Sequence, residues 1–333
     1  MGYNYSTLKK YNARNIVLFL NEFFDKFLTL NIVIMKKMII LNLLLLLNLE
    51  LFAQNIERVV SKFVKCRCIS DENEELLLKH SEEVLQAATK FLKDSNIEIR
   101  ENALDIINMA VNENTDSKVI KKVVEVFSSA LFDPSENVRA TACGNLASYN
   151  YADFSDKAKS HFAYIYNNNL AKNYNCGFIE LTGFLNIKEA IPYFKEKVRN
   201  PKVRYYLNYQ IALSRMGDAD ATSYLVKTMN EHLRISTVYD YEYIPYAFQM
   251  RNQAGLEVLI KLLDSDLQPN YKSEDHGADT QKQIAYRYLT KMLSNLPEQF
   301  EEQSGAKEQK ISDLREYLHS LSRSKIEINT NKI

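Results

Sequence analysis

Two stretches 39 residues apart carry nearly the same pattern: DSNIEIRENALDIINMA from Asp94 and DPSENVRATACGNLASY from Asp133. Each opens on an Asp, places a β-branched residue and an Arg five and six positions later (Ile99 and Arg100, Val138 and Arg139), and sets an Ala three beyond the Arg (Ala103, Ala142). Leu104 and Leu146 continue the apolar stripes. A turn Asp ahead of apolar residues at helical spacing is a helix start. The same start repeated at a fixed period restricts the chain to stacked helical units, each burying its apolar face only on its neighbours.

Val203 and Arg204 make a third copy, inside NPKVRYYLNYQIALSRMGD, with Leu213 and Gly217 closing that helix. A second match, EAIPYF at Glu189 and DATSYL at Asp220, has a period of 31 residues. With only 8 Gly and 6 Pro in 333 residues and no alternating apolar and polar runs between turn signals, the chain reads as all-α. Helices are expected at about 56–68, 74–92, 97–111, 118–131, 137–149, 155–169 and 174–185, alternating outer and inner. Beyond Asp220 the turns from outer to inner helix widen, to about 232–241 and 265–278. An inner helix at 279–294 and a charged capping helix at 307–321 follow. Residues 323–333 have no periodicity and are expected to be disordered.

The D-x-x-x-x-[VI]-R-x-x-A pattern, and the VRYYLNYQIALSRMGDADATSYL stretch with its A-L-x-x-x-G-D end, resemble HEAT repeats, including the shorter subtype of bacterial and lyase-associated proteins. The match is good over about 94–231 and diffuse outside it. The resemblance implies a right-handed α-solenoid of about six helix pairs over 54–322, with a terminal capping helix. It implies binding rather than an activity. It also implies a ladder in which the turn Asp and the following Arg join neighbouring repeats, here through Asp94, Arg100, Asp133 and Arg139. Arg204 departs from the pattern, because Val198 stands six residues before it and Asn200 occupies the turn.

The N-terminal region carries Met35, Lys36 and Lys37, then an apolar run from Met38 to Phe52, then Ala53 before Gln54. Positive charge, an apolar core and a small residue make a secretory signal at 35–53, cleaved near Ala53. Translation then starts at Met35 and residues 1–34 are an upstream extension. Retention of the segment as a membrane anchor is the alternative, although Asn42 and Asn48 interrupt a run already short of the roughly 20 residues a spanning helix needs. The expected location is periplasmic or secreted.

Residues 1–53 hold six basic and three acidic side chains, so the rest of the chain carries 36 basic against 39 acidic. Such a balance leaves no general electrostatic footprint for nucleic acid. No HExxH, GxSxG, CxxC or glycine-rich phosphate loop occurs, and no cofactor or metal is implied. DSDLQPNYKSED from Asp264 places oxygen side chains like a calcium loop, but Pro269 replaces the turn glycine and Asp275 the bidentate Glu. Cys66 and Cys68 fall two apart on an expected helix, on different faces. Cys143 and Cys176 fall on successive inner helices, as core filler or as a pair.

Tyrosine is the biased residue, with 21 copies and no Trp. Tyr205, Tyr206 and Tyr209 lie on the third inner helix; Tyr239, Tyr241, Tyr243 and Tyr246 crowd the first widened turn. Tyrosine offers large amphipathic contact area at low entropic cost. The competing role is bulky core filler. The expectation is a non-catalytic scaffold binding a protein or peptide through its concave face and widened turn rim, at Tyr205, Tyr209, Tyr239, Tyr241, Tyr243 and Tyr246. The alternative is an enzyme on a HEAT-like scaffold, of lyase or nucleic-acid glycosylase type.

Overall fold

The computed structural model describes residues 35, 37, 38, 41, 42, 55–233, 243–265, 280–300, 308–321 and 326–331. Residues 1–34, most of the apolar run, the proposed cleavage point, Tyr239 and Tyr241, and most of both widened turns lie outside the described residues. So does the Cys176 side chain, and with it the question of a Cys143 pair. Two compact units divide between Val59 and Val60. In the first, Met35, Lys37, Met38, Leu41 and Asn42 are helical and exposed.

Among the described residues of the second unit, the regular secondary structure is helical, apart from one isolated bridge. After α1 (55–66) come α2 (Asp71–Lys79), α3 (Ser81–Thr89), α4 (Ile97–Met109), α5 (Ser117–Ala130), α6 (Glu136–Leu146), α7 (Asp156–Asn167) and α8 (Cys176–Phe184). Then follow α9 (Ile191–Lys197), α10 (Tyr206–Arg215), α11 (Ala219–His232), α12 (Ile244–Met250), α13 (Gln253–Leu262), α14 (Gln281–Met292) and α15 (Glu308–Ser320). Among the described residues no helix is long and apolar enough to cross a membrane.

Short polar side chains start the helices. Asn96, Asp116, Ser155, Asn175, Asp218 and Asn252 each accept from a first-turn N–H, and Thr280 with Gln283 forms a capping box. Three ends share one geometry. Asn169, Asn186 and Gly217 have positive φ, and the N–H after each reaches five residues back, to Ile165, Thr182 and Leu213. The single helix expected over 74–92 is instead broken at His80, which leaves helical geometry at φ −131°. Ser81 there donates to the Ala110 carbonyl at 2.6 Å, a tertiary bond that local periodicity does not show.

Helices pack against next-but-one as well as adjacent helices. The even-numbered helices from α4 to α14 each contact the next, and α3 contacts α5, α5 contacts α7 and α11 contacts α13. Helix α8 packs closely on α10, where a Cβ on Gly183 would lie 2.7 Å from the Ala212 Cα. The core between these helices includes Leu104, Phe127, Leu146, Phe162, Phe178, Phe194, Leu225 and Leu259, all buried. Complete burial of each large apolar side chain stabilises by about 1.5–3 kcal/mol.

Part of the stretch expected to be disordered has defined contacts. Ile328 bridges antiparallel to Leu293, the Ser294 N–H donates to Glu327 O at 3.0 Å, and the Asn329 N–H donates to Met292 O at 2.7 Å. Farther along, Asn331 O accepts from the Tyr151 N–H at 3.0 Å. Arg251, buried at the end of α12, donates to both Lys291 O and Asn329 O at 3.2 Å. Burial pushes its guanidinium down to about 10, which leaves it charged at neutral pH. These are backbone contacts, so a side-chain periodicity does not encode them.

Candidate functional site

The turns that lead into α6, α8 and α10 come together at one edge and enclose a cleft of about 380 Å³. Glu136 and Arg139 come from α6, Lys172, Asn173, Tyr174 and Asn175 from the approach to α8, and Val203, Arg204 and Tyr205 from the approach to α10. Tyr193 and Lys197 of α9 and Tyr209 of α10 complete the wall. Four cations therefore face one acid, interleaved with four tyrosines.

The repeated Arg builds this edge. Arg100 donates through Nε and Nη2 to both carboxylate oxygens of Asp133, at 2.8 and 2.9 Å, and through Nη1 to Asp94 O at 2.8 Å. Both side chains are about nine-tenths buried. Burial works to raise the Asp133 carboxyl, but the Arg100 guanidinium, the Ser135 N–H and Arg139 hold it below its ordinary value. One repeat later Arg139 makes the same contact to its own turn, with Nη1 to Asp133 O at 2.8 Å, but Nη2 reaches Asn173 O at 3.3 Å rather than a carboxylate. Asp94 accepts from the Asn96 N–H at 2.8 Å. Arg204 is exposed and lies over the Tyr205 ring at 4.7 Å. Among the described residues this Arg–Asp pairing stops at Asp133, and the guanidinium groups of Arg139 and Arg204 line the cleft.

Each of three rings carries a cation: Arg139 over Tyr174 at 5.6 Å, Lys197 over Tyr193 at 4.7 Å, and Arg204 over Tyr205. Tyr174 also stacks on Phe178 at 4.2 Å and donates its hydroxyl to Leu131 O at 2.6 Å. Tyr209 is buried beside Phe194, and burial together with Tyr193 raises its hydroxyl well above the usual phenol range. Tyr205 is the outlier. It stands at the N-cap of α10 with φ 67°, a left-handed conformation that costs a side chain of its size about 1–3 kcal/mol.

Of the tyrosines singled out from sequence, Tyr205 and Tyr209 line the cleft. Tyr243 and Tyr246 are half-buried against the C-terminal core, with Tyr243 stacked on His232 at 4.3 Å. Tyr174, Tyr193, Lys172 and Lys197 escape the sequence reading. The signal that locates two of them is the basic run Lys195–Arg204 beside an aromatic helix face.

Cys66 and Cys68 also differ from expectation. Helix α1 ends at Cys66, Arg67 takes a left-handed φ of 52°, and the exposed Cys68 thiol turns back to donate to the Cys66 carbonyl at 3.1 Å, so the two do not sit on one helix. A larger apolar hollow, about 770 Å³, lies between α3 and α5 against Leu85, Val126 and Phe132. Two of its lysines are paired, Lys122 with Glu82 and Lys157 with Glu125. Among the described residues no cluster of three or more metal-ligating side chains occurs. No family model matches this chain, and no curated protein is significantly similar to it.

Proposed function

We propose that this chain is a HEAT-type scaffold: a right-handed α-solenoid of six helix pairs, α3/α4 through α13/α14, capped by α15, that holds a protein or peptide partner without catalysis. The succession of even-numbered helices in contact, with Arg100 bridging two repeat turns, supports the solenoid. One observation carries the binding role. The turns before α6, α8 and α10 form a cleft lined with tyrosines and cations, and the chain maintains Tyr205 there in a strained conformation. Strain held at this turn, with the Tyr205 ring half-buried beneath Arg204, marks a position selected for what it touches.

Affinity capture from a native extract tests the role. Replacing Arg204 and Tyr205 by Ala removes the associated proteins while the circular dichroism and melting temperature stay those of the parent. An unchanged set of associated proteins refutes binding at this cleft. We further propose export through the 35–53 segment, supported by its charge and apolar pattern. N-terminal sequencing of the mature protein checks that, and a start remote from Gln54 refutes it.

A further inference from the structure

We propose that the cleft receives an extended acidic peptide whose carboxylates recur at every third residue. This rests on the scaffold reading and adds the chemistry of its ligand.

Charge comes first. The run KEKVRNPKVR from Lys195 to Arg204 carries five cations and one acid in a chain that is otherwise balanced. Lys195 is tied to Asp218 at 2.9 Å and Lys197 to Glu196 at 3.4 Å. Arg199, Lys202 and Arg204, and Lys172 across the cleft, are exposed and form no ion pair with another described residue. The N-terminal ends of α6, α8 and α10 add their positive dipole ends, and α6 and α10 have no side chain capping their first-turn N–H groups.

Spacing comes second. Successive packed helices stand about 8–10 Å apart, and an extended peptide in the polyproline II conformation advances about 3.1 Å per residue with three residues per turn, so every third side chain faces the same way. Three residues of such a chain therefore span one repeat. A carboxylate at every third position meets the turn before α6, then the one before α8, then the one before α10.

The rings decide between an acidic peptide and a single-stranded nucleic acid, which would also suit a cationic groove with aromatics. Base stacking needs open ring faces. Here Tyr174, Tyr193 and Tyr205 each have a cation over the ring, Tyr174 is further stacked on Phe178, and Tyr209 is buried. The tyrosines hold the cations in place, and the cations face the ligand.

The test is fluorescence anisotropy on the full chain with a short labelled peptide bearing Glu at every third residue and Ser between. A scrambled peptide with its Glu residues contiguous and a labelled oligothymidylate are the comparisons. The spaced peptide binds more tightly than either. Combined Lys172→Glu and Arg204→Glu weakens it about tenfold. Both residues are exposed, so the folded state is retained, as circular dichroism verifies. No binding of the spaced peptide by the folded protein, indifference to the charge reversal, or tighter binding of the oligothymidylate overturns the proposal. If the acidic peptide fails while Arg204→Ala with Tyr205→Ala still removes captured partners, the scaffold stands and only its ligand chemistry is wrong.

Discussion

At the scale of single residues, the pair Arg100 and Asp133 shows what the repeated Asp and Arg do. Two charge-assisted bonds and nine-tenths burial make this a pair whose loss is felt, because the survivor is left charged and without its partner. Asp133→Asn is expected to lower stability by about 3 kcal/mol in chemical denaturation. Because the folded Asp133 titrates below the ordinary carboxylate value of about 3.9, its contribution is whole above that pH and is lost as pH falls through the depressed folded value. The difference between parent and Asp133→Asn should accordingly shrink in acid, and a constant difference down to the acid transition would show that the charge is immaterial. Tyr205 behaves in the opposite sense. Tyr205→Gly removes the left-handed penalty, so the melting temperature should hold or rise while acidic-peptide binding weakens. A clear fall in melting temperature would make the ring a packing residue. Cys66 offers a chemical readout: a hydrogen bond from the Cys68 thiol lowers the Cys66 thiol and raises Cys68. Iodoacetamide mapped by peptide mass is expected to label Cys66 first, because the thiolate is the nucleophile.

At the scale of elements, helix positions were legible because apolar spacing and short polar caps are local properties, and both survive into the structure at Asn96, Asp116, Ser155 and Asp218. What was not legible is tertiary. The break at His80 goes with a bond from Ser81 to a carbonyl 29 residues on, and no pattern within 74–92 encodes it. The cleft was half legible. Tyr205 and Tyr209 sit on one recognisable helix, whereas Tyr174 and Tyr193 reach the same wall from elements whose convergence only the fold supplies. Arg139 looks like a further rung by spacing, but the turn it reaches, before α8, offers the Asn173 carbonyl rather than a carboxylate. A tight joint between elements far apart in sequence is Gly183 against Ala212. A methyl group there meets backbone and Cβ of α10 at under-contact distance, so Gly183→Ala should force α8 and α10 apart and cost about 1–3 kcal/mol. Gly144, with open space around its Cβ position, is the control: Gly144→Ala within α6 should be neutral or stabilising by up to about 1 kcal/mol. Equal effects of the two substitutions in denaturant melts would refute the close approach.

At the scale of the whole molecule, the proposed stack of repeats would be nearly one-dimensional, each unit sensing only its neighbours and distant units free to unfold separately. Residues 326–331 would couple such units. Their backbone joins the end of α14 at Met292 and Ser294, the end of α12 through Arg251, and Tyr151, which follows α6, so units far apart in sequence share one strap. Each such bond contributes about 0.5–1.5 kcal/mol net. More important than their sum is that they couple separate units. A chain ending at Leu321 should therefore lose about 2 kcal/mol of stability and also cooperativity: the thermal transition broadens, and the Tyr151 and Ser294 amides exchange faster by hydrogen exchange mass spectrometry. Arg251→Met, which keeps the apolar volume but cannot donate to Asn329 O, should reproduce the faster exchange at Ser294 with a smaller loss of stability. If the shortened chain keeps a single sharp transition and unchanged protection at Tyr151, the strap adds contact without coupling, and the repeats hold together through their neighbour interfaces alone.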